Sequence, residues 1–423
     1  RPRLHTKNLP RETPMQTVLA PEFRGTPEGL EAEAILRKCV HCGFCTATCP
    51  TYQLLGNELD GPRGRIYLIK QVLEGATPTR ATQQHLDRCL TCRNCESTCP
   101  SGVQYGHLVD IGRKIVDEKV PRGLGERAVR WALKEGLPSP LFGPAMKLGQ
   151  AVRGVLPASL QAKVPAPQAA GQWPTRSHTR KVLMLEGCVQ PAMMPNINSA
   201  TARVLDAIGI EAVRLPKTGC CGAVKFHLND QDGGRAEMRA NIDAWWPLAS
   251  TGGVEAIMVN ASGCGVTVKE YGHLLKDDPA YADKAAHISA LARDLSEWLP
   301  ELATALQGRV SPPAGMLAFH PPCTLQHGQQ LRGGVEAHLG ALGFQVQVAR
   351  TESHLCCGSA GTYSVLQPEL AYPLRDRKLG HLQALVPEAI LSANIGCITH
   401  LQSGTATPVK HWVEVLDAAL LPN

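Results

Sequence analysis

The chain has 423 residues, 43% of them hydrophobic and 19% charged, which is enough to bury the cores of two or three domains. Its formal net charge of +6 is spread thinly and only 4% of residues are aromatic, so a nucleic-acid-binding surface of basic clusters and stacking rings is excluded. A charge of this size leaves at most a mild attraction to an acidic protein or an anionic membrane surface. No run approaches the roughly 18 to 20 apolar residues of a membrane helix, and no secretory signal core is present. We therefore expect a chain without a transmembrane segment, in a reducing compartment.

The first 28 residues are predicted to form an extended N-terminal segment. Residues 1–14, RPRLHTKNLPRETP, are basic, contain proline and lack an initial methionine. They fit a processed end, an upstream extension or a cloning remnant, and Met15 is a candidate natural start.

The chain contains 16 cysteines, a high number for an intracellular protein, and it is too long to need disulfides in place of a core, so metal ligation is the first interpretation. Eight of them form two runs, CVHCGFCTATCP from Cys39 and CLTCRNCESTCP from Cys89. Both read C-x2-C-x2-C-x3-C-P, the bacterial ferredoxin signature, in which three thiolates hold one cluster and the fourth reaches the other. The sequence therefore predicts two [4Fe-4S] clusters. The first would be held by Cys39, Cys42, Cys45 and Cys99, and the second by Cys89, Cys92, Cys95 and Cys49.

Two zinc sites are the alternative, because tandem C-x2-C pairs also bind zinc. Zinc sites draw four ligands from two pairs, whereas each run here supplies four cysteines followed by a proline. The gap between the runs contains Ile66, Ile69, Val72 and Leu73 at helical spacing, which favours an α-helical ferredoxin domain over residues 29–135. Arg63 and Arg65 could contact a partner or the backbone beside a cluster, but we expect them to be solvated charges at the start of that helix.

Residues 136–180 are rich in proline, glycine and alanine and are predicted to be a linker with one short helix. Short apolar runs then alternate with amphipathic stretches, which indicates α/β organisation. The second half also repeats itself: VLMLEGC at 182–188 matches MLAFHPPC at 316–323, and TGCCGAV at 218–224 matches LCCGSAG at 355–361. We therefore predict a duplicated α/β domain, with repeats at 181–310 and 311–423.

Four cysteines keep their register in each repeat, separated by a nearly constant 133 to 136 positions. Each follows a predicted strand, at the edge where α/β sheets bind ligands. The adjacent pairs could be strained redox disulfides, buried apolar thiols or metal ligands. Metal or cluster ligation is favoured because it alone accounts for the two cysteines that accompany each pair. The candidate sets are Cys188, Cys220, Cys221 and Cys264 in the first repeat, and Cys323, Cys356, Cys357 and Cys397 in the second.

The order of two ferredoxin runs, a helical segment and two Cys-Cys-Gly (CCG) repeats resembles the heterodisulfide-reductase-like iron–sulfur subunits. The stretches HLDRCLTCRNCESTCPSGV, VLMLEGCVQP, LCCGSAGTY and SANIGCITH are among those that carry the likeness. Within that group the chain is similar to the branch that serves glycolate oxidation.

The resemblance implies an electron-transfer subunit of a membrane-associated complex that oxidises glycolate to glyoxylate. An FAD-containing flavoprotein partner would take the hydride, and this chain would pass electrons toward a quinone-linked acceptor from the cytoplasmic face of the inner membrane. No G-x-G-x-x-G opens a βαβ unit here, so flavin and catalysis are expected on the partner. Related lactate or glycerol 3-phosphate dehydrogenase complexes, and a thiol–disulfide reductase, remain alternatives.

The chain departs from the wider family at the end of each repeat. Many relatives end in C-x-x-C, whereas here Thr267 and His400 take the place of the last cysteine. This leaves four cysteines per repeat, which is enough for one or two further [4Fe-4S] or other metal sites. The missing cysteine also argues against a disulfide-reducing site. His320, His327 and His400 are expected to be ordinary partly buried histidines.

Overall fold

The computed structural model describes residues 15–161 and 163–422, without the side chains of residues 158 and 159. The prediction for residues 1–14 therefore falls outside the described residues. Within them the chain divides into two compact units, one of residues 15–89 with 94–120 and one of residues 90–93 with 121–422. The five-segment domain division made from the sequence stays a prediction. Among the described residues, no helix is both long and apolar enough to cross a membrane.

The first unit is helical. Its elements are α1 (Pro27–Leu36), α2 (Phe44–Ala47), α3 (Pro50–Leu55), a 3-10 turn (Glu58–Asp60), α4 (Pro62–Leu73), α5 (Arg80–Asp87), α6 (Asn94–Thr98) and α7 (Tyr105–Lys119). The apolar stripe of α4 that the sequence indicated is buried, with Ile69 and Leu73 at most 1% exposed. It packs mainly against α7, whose Leu108 and Val109 are fully buried. Burial of these apolar stripes on short helices, rather than a sheet, therefore forms the core of this unit.

The predicted solvation of both arginines at the start of α4 is wrong for one of them. Arg65 is 1% exposed, and its guanidinium donates to the His85 carbonyl at 2.7 Å and to Thr51 Oγ1 at 3.1 Å. It also lies 3.7 Å from the buried carboxylate of Asp60. Arg63, in contrast, keeps a partly exposed pair with Glu58 at 2.6 Å. Both arginines lie in the same turn of α4. Arg65 is buried because it is on the side of the helix that faces α5, whereas Arg63 is not.

The second unit contains two parallel sheets of four strands, in the orders β2-β1-β3-β4 and β6-β5-β7-β8. The strands are β1 (Arg180–Leu185), β2 (Ile210–Val213), β3 (Ala256–Val259), β4 (Ala292–Asp294), β5 (Leu317–Phe319), β6 (Val346–Val348), β7 (Ala389–Ser392) and β8 (Val409–His411). The central strands β3, β5 and β7 are buried along their whole length, as parallel strands covered on both faces are. The predicted fold class, a helical ferredoxin-type region followed by a duplicated α/β domain, is confirmed.

Helices connect and cover these strands. They are α8 (Leu124–Gly136), α9 (Phe142–Ala151), α10 (Ala158–Gln161), α11 (Gln190–Met193), α12 (Asn196–Ala207), α13 (Ala223–His227), α14 (Gln231–Ala249), α15 (Ser262–Lys269), α16 (Tyr271–Leu274), α17 (Ala282–Leu291), α18 (Leu299–Ala305), α19 (Gly334–Ala341), α20 (Tyr363–Leu366), α21 (Pro368–Gln383), α22 (Ile395–Gln402) and α23 (Trp412–Ala418). Short 3-10 turns cover Arg153–Val155 and Leu295–Trp298, and a π-type turn covers Thr324–Gly328.

The two repeats share a hydrophobic core. Val182 and Met184 of β1 belong to the same buried cluster as Phe319 of β5 and Trp412 of α23. The backbone N–H of Ser262 also donates to the carbonyl of Ala393 at 3.0 Å, which joins the chain after β3 to the chain after β7. The two repeats therefore stabilise each other through a common core.

Candidate metal centres

The two ferredoxin runs adopt the same unusual backbone. His41 and Thr91, each two residues after the first cysteine of its run, have φ of 54° and 52°. Gly43 and Arg93, each four residues after that cysteine, have φ of 84° and 56°. Left-handed conformations cost non-glycine residues free energy, most of all a β-branched threonine, so they persist only where the surroundings require them. Their repetition in two separate runs indicates a loop shaped to bring successive thiols and backbone N–H groups to a common centre.

The thiols of this unit lie close enough to influence one another. Burial raises the pKa of Cys39, and the charge of Cys99 raises it further, although the two belong to different runs. Burial, followed by the charges of Cys39 and Cys42, raises the pKa of Cys45 to about 11. Buried thiols crowded in this way are poor acids on their own, and a bound metal supplies the positive charge that stabilises their thiolates.

Polar side chains next to the two ferredoxin runs make hydrogen bonds to them. Asn94 Nδ2 donates to the Thr48 carbonyl at 3.0 Å and so ties one run to the other. Thr51 Oγ1 lies 3.3 Å from Cys49 Sγ. Arg113, which is 7% exposed, donates to the Leu86 carbonyl at 2.9 Å and to the carbonyl of Cys89. Sequence reasoning missed Arg113; the only available signal was a charged residue inside the apolar stripe of α7.

In the second unit the cysteines meet at the place where parallel sheets bind ligands. The order of the first sheet reverses between β1 and β3, and that of the second between β5 and β7. Cys188 and Cys323 follow the first strand of each pair, while Cys264 and Cys397 are the third residues of α15 and α22, just beyond β3 and β7. Loops after neighbouring strands diverge at such a switch point and leave a crevice for a ligand.

Each repeat links its four thiols in the same sequence of neighbours. In the first, hydrogen bonds connect Cys188 to Cys220, Cys220 to Cys221 and Cys221 to Cys264. The hydrogen bond from Cys220, together with burial, raises the pKa of Cys188 well above its ordinary value. The predicted set of this repeat is therefore brought together by the fold.

The second repeat reproduces this arrangement. Cys323 Sγ lies 3.8 Å from Cys356 Sγ, and Cys357 contacts both Cys356 and Cys397. The hydrogen bond with Cys356, followed by burial, raises the pKa of Cys323 well above its ordinary value. All four thiols are buried. Four neighbouring buried thiols are a donor set that fits a thiophilic metal ion or an iron–sulfur cluster.

The glycine after each cysteine pair is required by its backbone. Gly222 and Gly358 have φ of 93° and 89°, and a Cβ atom would lie 2.7 Å from the Gly234 carbonyl oxygen in the first case and 2.4 Å from that of Ala371 in the second. In both repeats the glycine N–H donates to the sulfur of the first cysteine of the pair at 3.4 Å. Such N–H···S bonds stabilise negative charge on sulfur and tune a metal centre.

The histidines near the second set differ in their partners. His327 Nε2 contacts the His354 carbonyl at 2.9 Å, and His400 Nε2 contacts the Ala371 carbonyl at 3.2 Å, as expected of ordinary buried histidines. His320 is also buried, but neither ring nitrogen has a hydrogen-bond partner in the part of the chain that the structure describes. One of its nitrogens lies within 4.8 Å of the sulfurs of Cys357 and Cys397. His320 is therefore more deeply buried than the partly buried histidine that the sequence led us to expect.

Trp245 and Trp246 act in packing. Trp245 is fully buried and stacks on Tyr271 with 6.4 Å between ring centroids. Trp246 packs edge-on against His287 at the surface of α14. Tyr271 in turn donates to the Cys221 carbonyl at 2.9 Å, so the tryptophan supports the cysteine loop indirectly.

The fold and the cysteine sets define an iron–sulfur protein of the ferredoxin and cysteine-rich-domain class. Residues 35–103 match the model of the 4Fe-4S dicluster domain, and residues 182–269 and 317–402 match that of the cysteine-rich domain. The chain is 56% identical over 411 residues to the glycolate oxidase iron-sulfur subunit of Escherichia coli (strain K12), covering 96% of this chain and 99% of that protein.

Two further relatives extend the comparison. The probable glycolate oxidase iron-sulfur subunit of Bacillus subtilis (strain 168) is 32% identical and aligns over 88% of this chain and 89% of its own length. Lactate utilization protein A of Geobacillus thermodenitrificans (strain NG80-2) is 25% identical over 56% of this chain and 98% of its own. The chain belongs to the family of glycolate oxidase iron–sulfur subunits.

Proposed function

We propose that this chain transfers electrons within a complex that oxidises glycolate to glyoxylate. The observation that carries the proposal is the pair of four-cysteine runs with one shared left-handed backbone, in a chain with a glycolate oxidase relative of 56% identity along nearly its whole length. A partner flavoprotein with FAD would oxidise the substrate, and this subunit would pass electrons toward a quinone-linked acceptor on the cytoplasmic face of the membrane.

The eight ferredoxin cysteines are proposed to hold two [4Fe-4S] clusters, which carry one electron at a time when bound. The charge of Cys99 raises the pKa of Cys39, so these two members of the first proposed set lie near each other although they belong to different runs. These sets are Cys39, Cys42, Cys45 and Cys99 for one cluster, and Cys89, Cys92, Cys95 and Cys49 for the other.

The cysteines of the two CCG repeats are proposed to hold one or two further metal or iron–sulfur sites. The burial of six of these eight thiols, all except Cys188 and Cys264, and the position of the sets after the switch-point strands support this role. A thiol–disulfide reductase has less support, because a catalytic thiol needs exposure and a low pKa. Cys356 and Cys357 are 3% and 0% exposed, and both pKa values lie well above the ordinary one.

Substrate identity is tested by copurification from the native host under anaerobic conditions. We expect a tagged full-length chain to capture a flavoprotein, and glycolate to reduce the clusters only when that flavoprotein is present. The likeness to lactate utilization protein A makes lactate the second candidate. Reduction by lactate and not by glycolate would favour that candidate, and reduction by neither substrate would overturn the proposed pathway.

A further inference from the structure

The two CCG sites differ at one position beside the thiols. The strand pairings align Val182 with Leu317. Val182 of β1 pairs with the first residue of β3, and Leu317 of β5 pairs with the first residue of β7. Counting forward, Leu185 of the first repeat corresponds to His320 of the second. The first repeat therefore has an apolar side chain where the second has an imidazole.

Burial of His320 destabilises the fold unless its ring nitrogens bind a partner. The residue is 1% exposed, and neither Nδ1 nor Nε2 has a hydrogen-bond partner among the described residues. A buried polar group without a partner destabilises the folded state, and leucine at the equivalent position shows that the fold does not need a polar side chain there. The imidazole therefore lacks a partner within residues 15–161 and 163–422, and a bound ligand could supply one.

The surroundings of His320 indicate the kind of partner. A ring nitrogen and the sulfurs of Cys357 and Cys397 lie within 4.8 Å of one another. Ligand atoms around one tetrahedral ion with metal–sulfur bonds of about 2.3 Å are separated by roughly 3.8 Å, so only small side-chain movements would complete such a site.

We propose that His320 is a metal ligand of the second CCG repeat, together with Cys357 and Cys397. The second site then holds its metal through imidazole and thiolate, while the first site has thiolates alone. Iron and zinc are among the metals that accept this mixed donor set. The inference rests on the proposal that the CCG cysteines bind metal, and it adds a residue that distinguishes the two repeats.

The test measures iron and zinc per chain, and their rates of release to EDTA, in the full-length protein purified without oxygen. His320→Leu introduces the residue of the first repeat, so correct folding is expected and is checked by circular dichroism. His400→Gln is the control, because His400 is also buried near Cys397 but already contacts the Ala371 carbonyl. Cys357→Ser reports whether the site binds metal at all.

We expect His320→Leu to release one class of metal about ten-fold faster or more, or to lack it, while His400→Gln behaves as the parent protein. The metal that is lost identifies the site as one for iron or for zinc. Unchanged release in His320→Leu with loss in Cys357→Ser would overturn the role of His320 alone. Unchanged release in both would overturn metal binding at this repeat, and equal losses in His320→Leu and His400→Gln would show that loosened packing, not ligation, controls release.

Discussion

Lys378 occupies in the second repeat the position that Asn241 occupies in the first. In each repeat one helix residue places its carbonyl against the glycine of the CCG loop; this residue is Gly234 in α14 and Ala371 in α21. Asn241 and Lys378 each lie seven residues after it. Asn241 donates to the Cys220 carbonyl at 2.7 Å, and the ammonium of Lys378 donates to the Glu352 and Ser353 carbonyls. Both side chains hold the loop that contains the cysteine pair, but only the second brings a buried charge.

This difference predicts unequal reduction potentials. Burial lowers the pKa of Lys378, whereas the charges of Cys357 and Cys356 raise it, so the ammonium and the thiolates stabilise each other. Lys378→Asn should lower the potential of a redox centre in the second repeat, by on the order of 60 mV if one tenfold factor in a one-electron equilibrium is lost. A potentiometric titration followed by EPR measures the shift. An unchanged potential would mean that the ammonium does not act on the centre.

The CCG glycines should be sensitive to a single added methyl group. Gly358→Ala places a Cβ against the Ala371 carbonyl and forces a left-handed conformation on alanine, so we expect a loss of about 2 to 4 kcal/mol in the free energy of unfolding. Gly340, an exposed glycine in α19 with open space around it, is the matched control. Gly340→Ala should be neutral or stabilising by up to about 1 kcal/mol. Denaturant unfolding compares the two, and equal effects would contradict the steric account.

The buried charges of the ferredoxin unit should matter more than the surface pair nearby. Asp60 is 1% exposed and lies 3.0 Å from both His85 and Arg88, and 3.7 Å from Arg65. Asp60→Asn leaves buried Arg65 without its carboxylate, and we expect a loss of about 3 to 5 kcal/mol in unfolding free energy. Glu58→Gln, at the partly exposed pair with Arg63, should cost at most about 1 kcal/mol. A similar cost for both variants, measured by denaturant unfolding, would argue against a buried network.

The second unit should lose stability below neutral pH, in part through His411. Its Nδ1 accepts from the Val413 N–H at 3.1 Å, so Nε2 donates to the Asn260 carbonyl at 2.8 Å. Burial lowers the pKa of His411 to about 3, whereas the unfolded value is about 6.5. The unfolded chain therefore binds a proton that the folded chain does not, and stability falls as pH drops from about 6.5 toward 3.

His411→Asn retains an acceptor for the Val413 N–H but cannot titrate. Thermal unfolding between pH 7 and pH 5 should give a shallower loss of stability in this variant, by up to about 1.4 kcal/mol per pH unit. The variant should be less stable than the parent at pH 7, because the contact with Asn260 is lost. Parallel pH profiles for the two proteins would show that His411 does not contribute.

Local spacing made much of this molecule predictable. The ferredoxin runs and the register of the two CCG repeats are visible in the sequence because thiol ligands and left-handed turns must recur at fixed positions. The apolar stripe of α4 was visible for the same reason, since helical period determines which residues are buried. These features depend on residues close together in the chain.

Features that depend on distant residues were not predictable. Lys378 lies in the charged stretch RDRK and Arg65 beside the solvated Arg63, so both read as surface charges until the tertiary contacts are known. His320 follows a three-residue strand, and only the packing of its neighbours shows that its nitrogens lack partners among the described residues.

The segment predicted as a linker with one short helix contains α9, of ten residues, and α10, of four. Proline and glycine content obscured this helical propensity.

The central claim is that the cysteines hold iron–sulfur clusters, and iron content combined with EPR tests it most directly. For anaerobically purified protein we expect about eight irons with matching sulfide from the two ferredoxin clusters, any iron in the CCG repeats adding to that number. Dithionite reduction should produce low-temperature signals of interacting [4Fe-4S] clusters. Zinc in place of iron, with no EPR signal after reduction, would contradict the account.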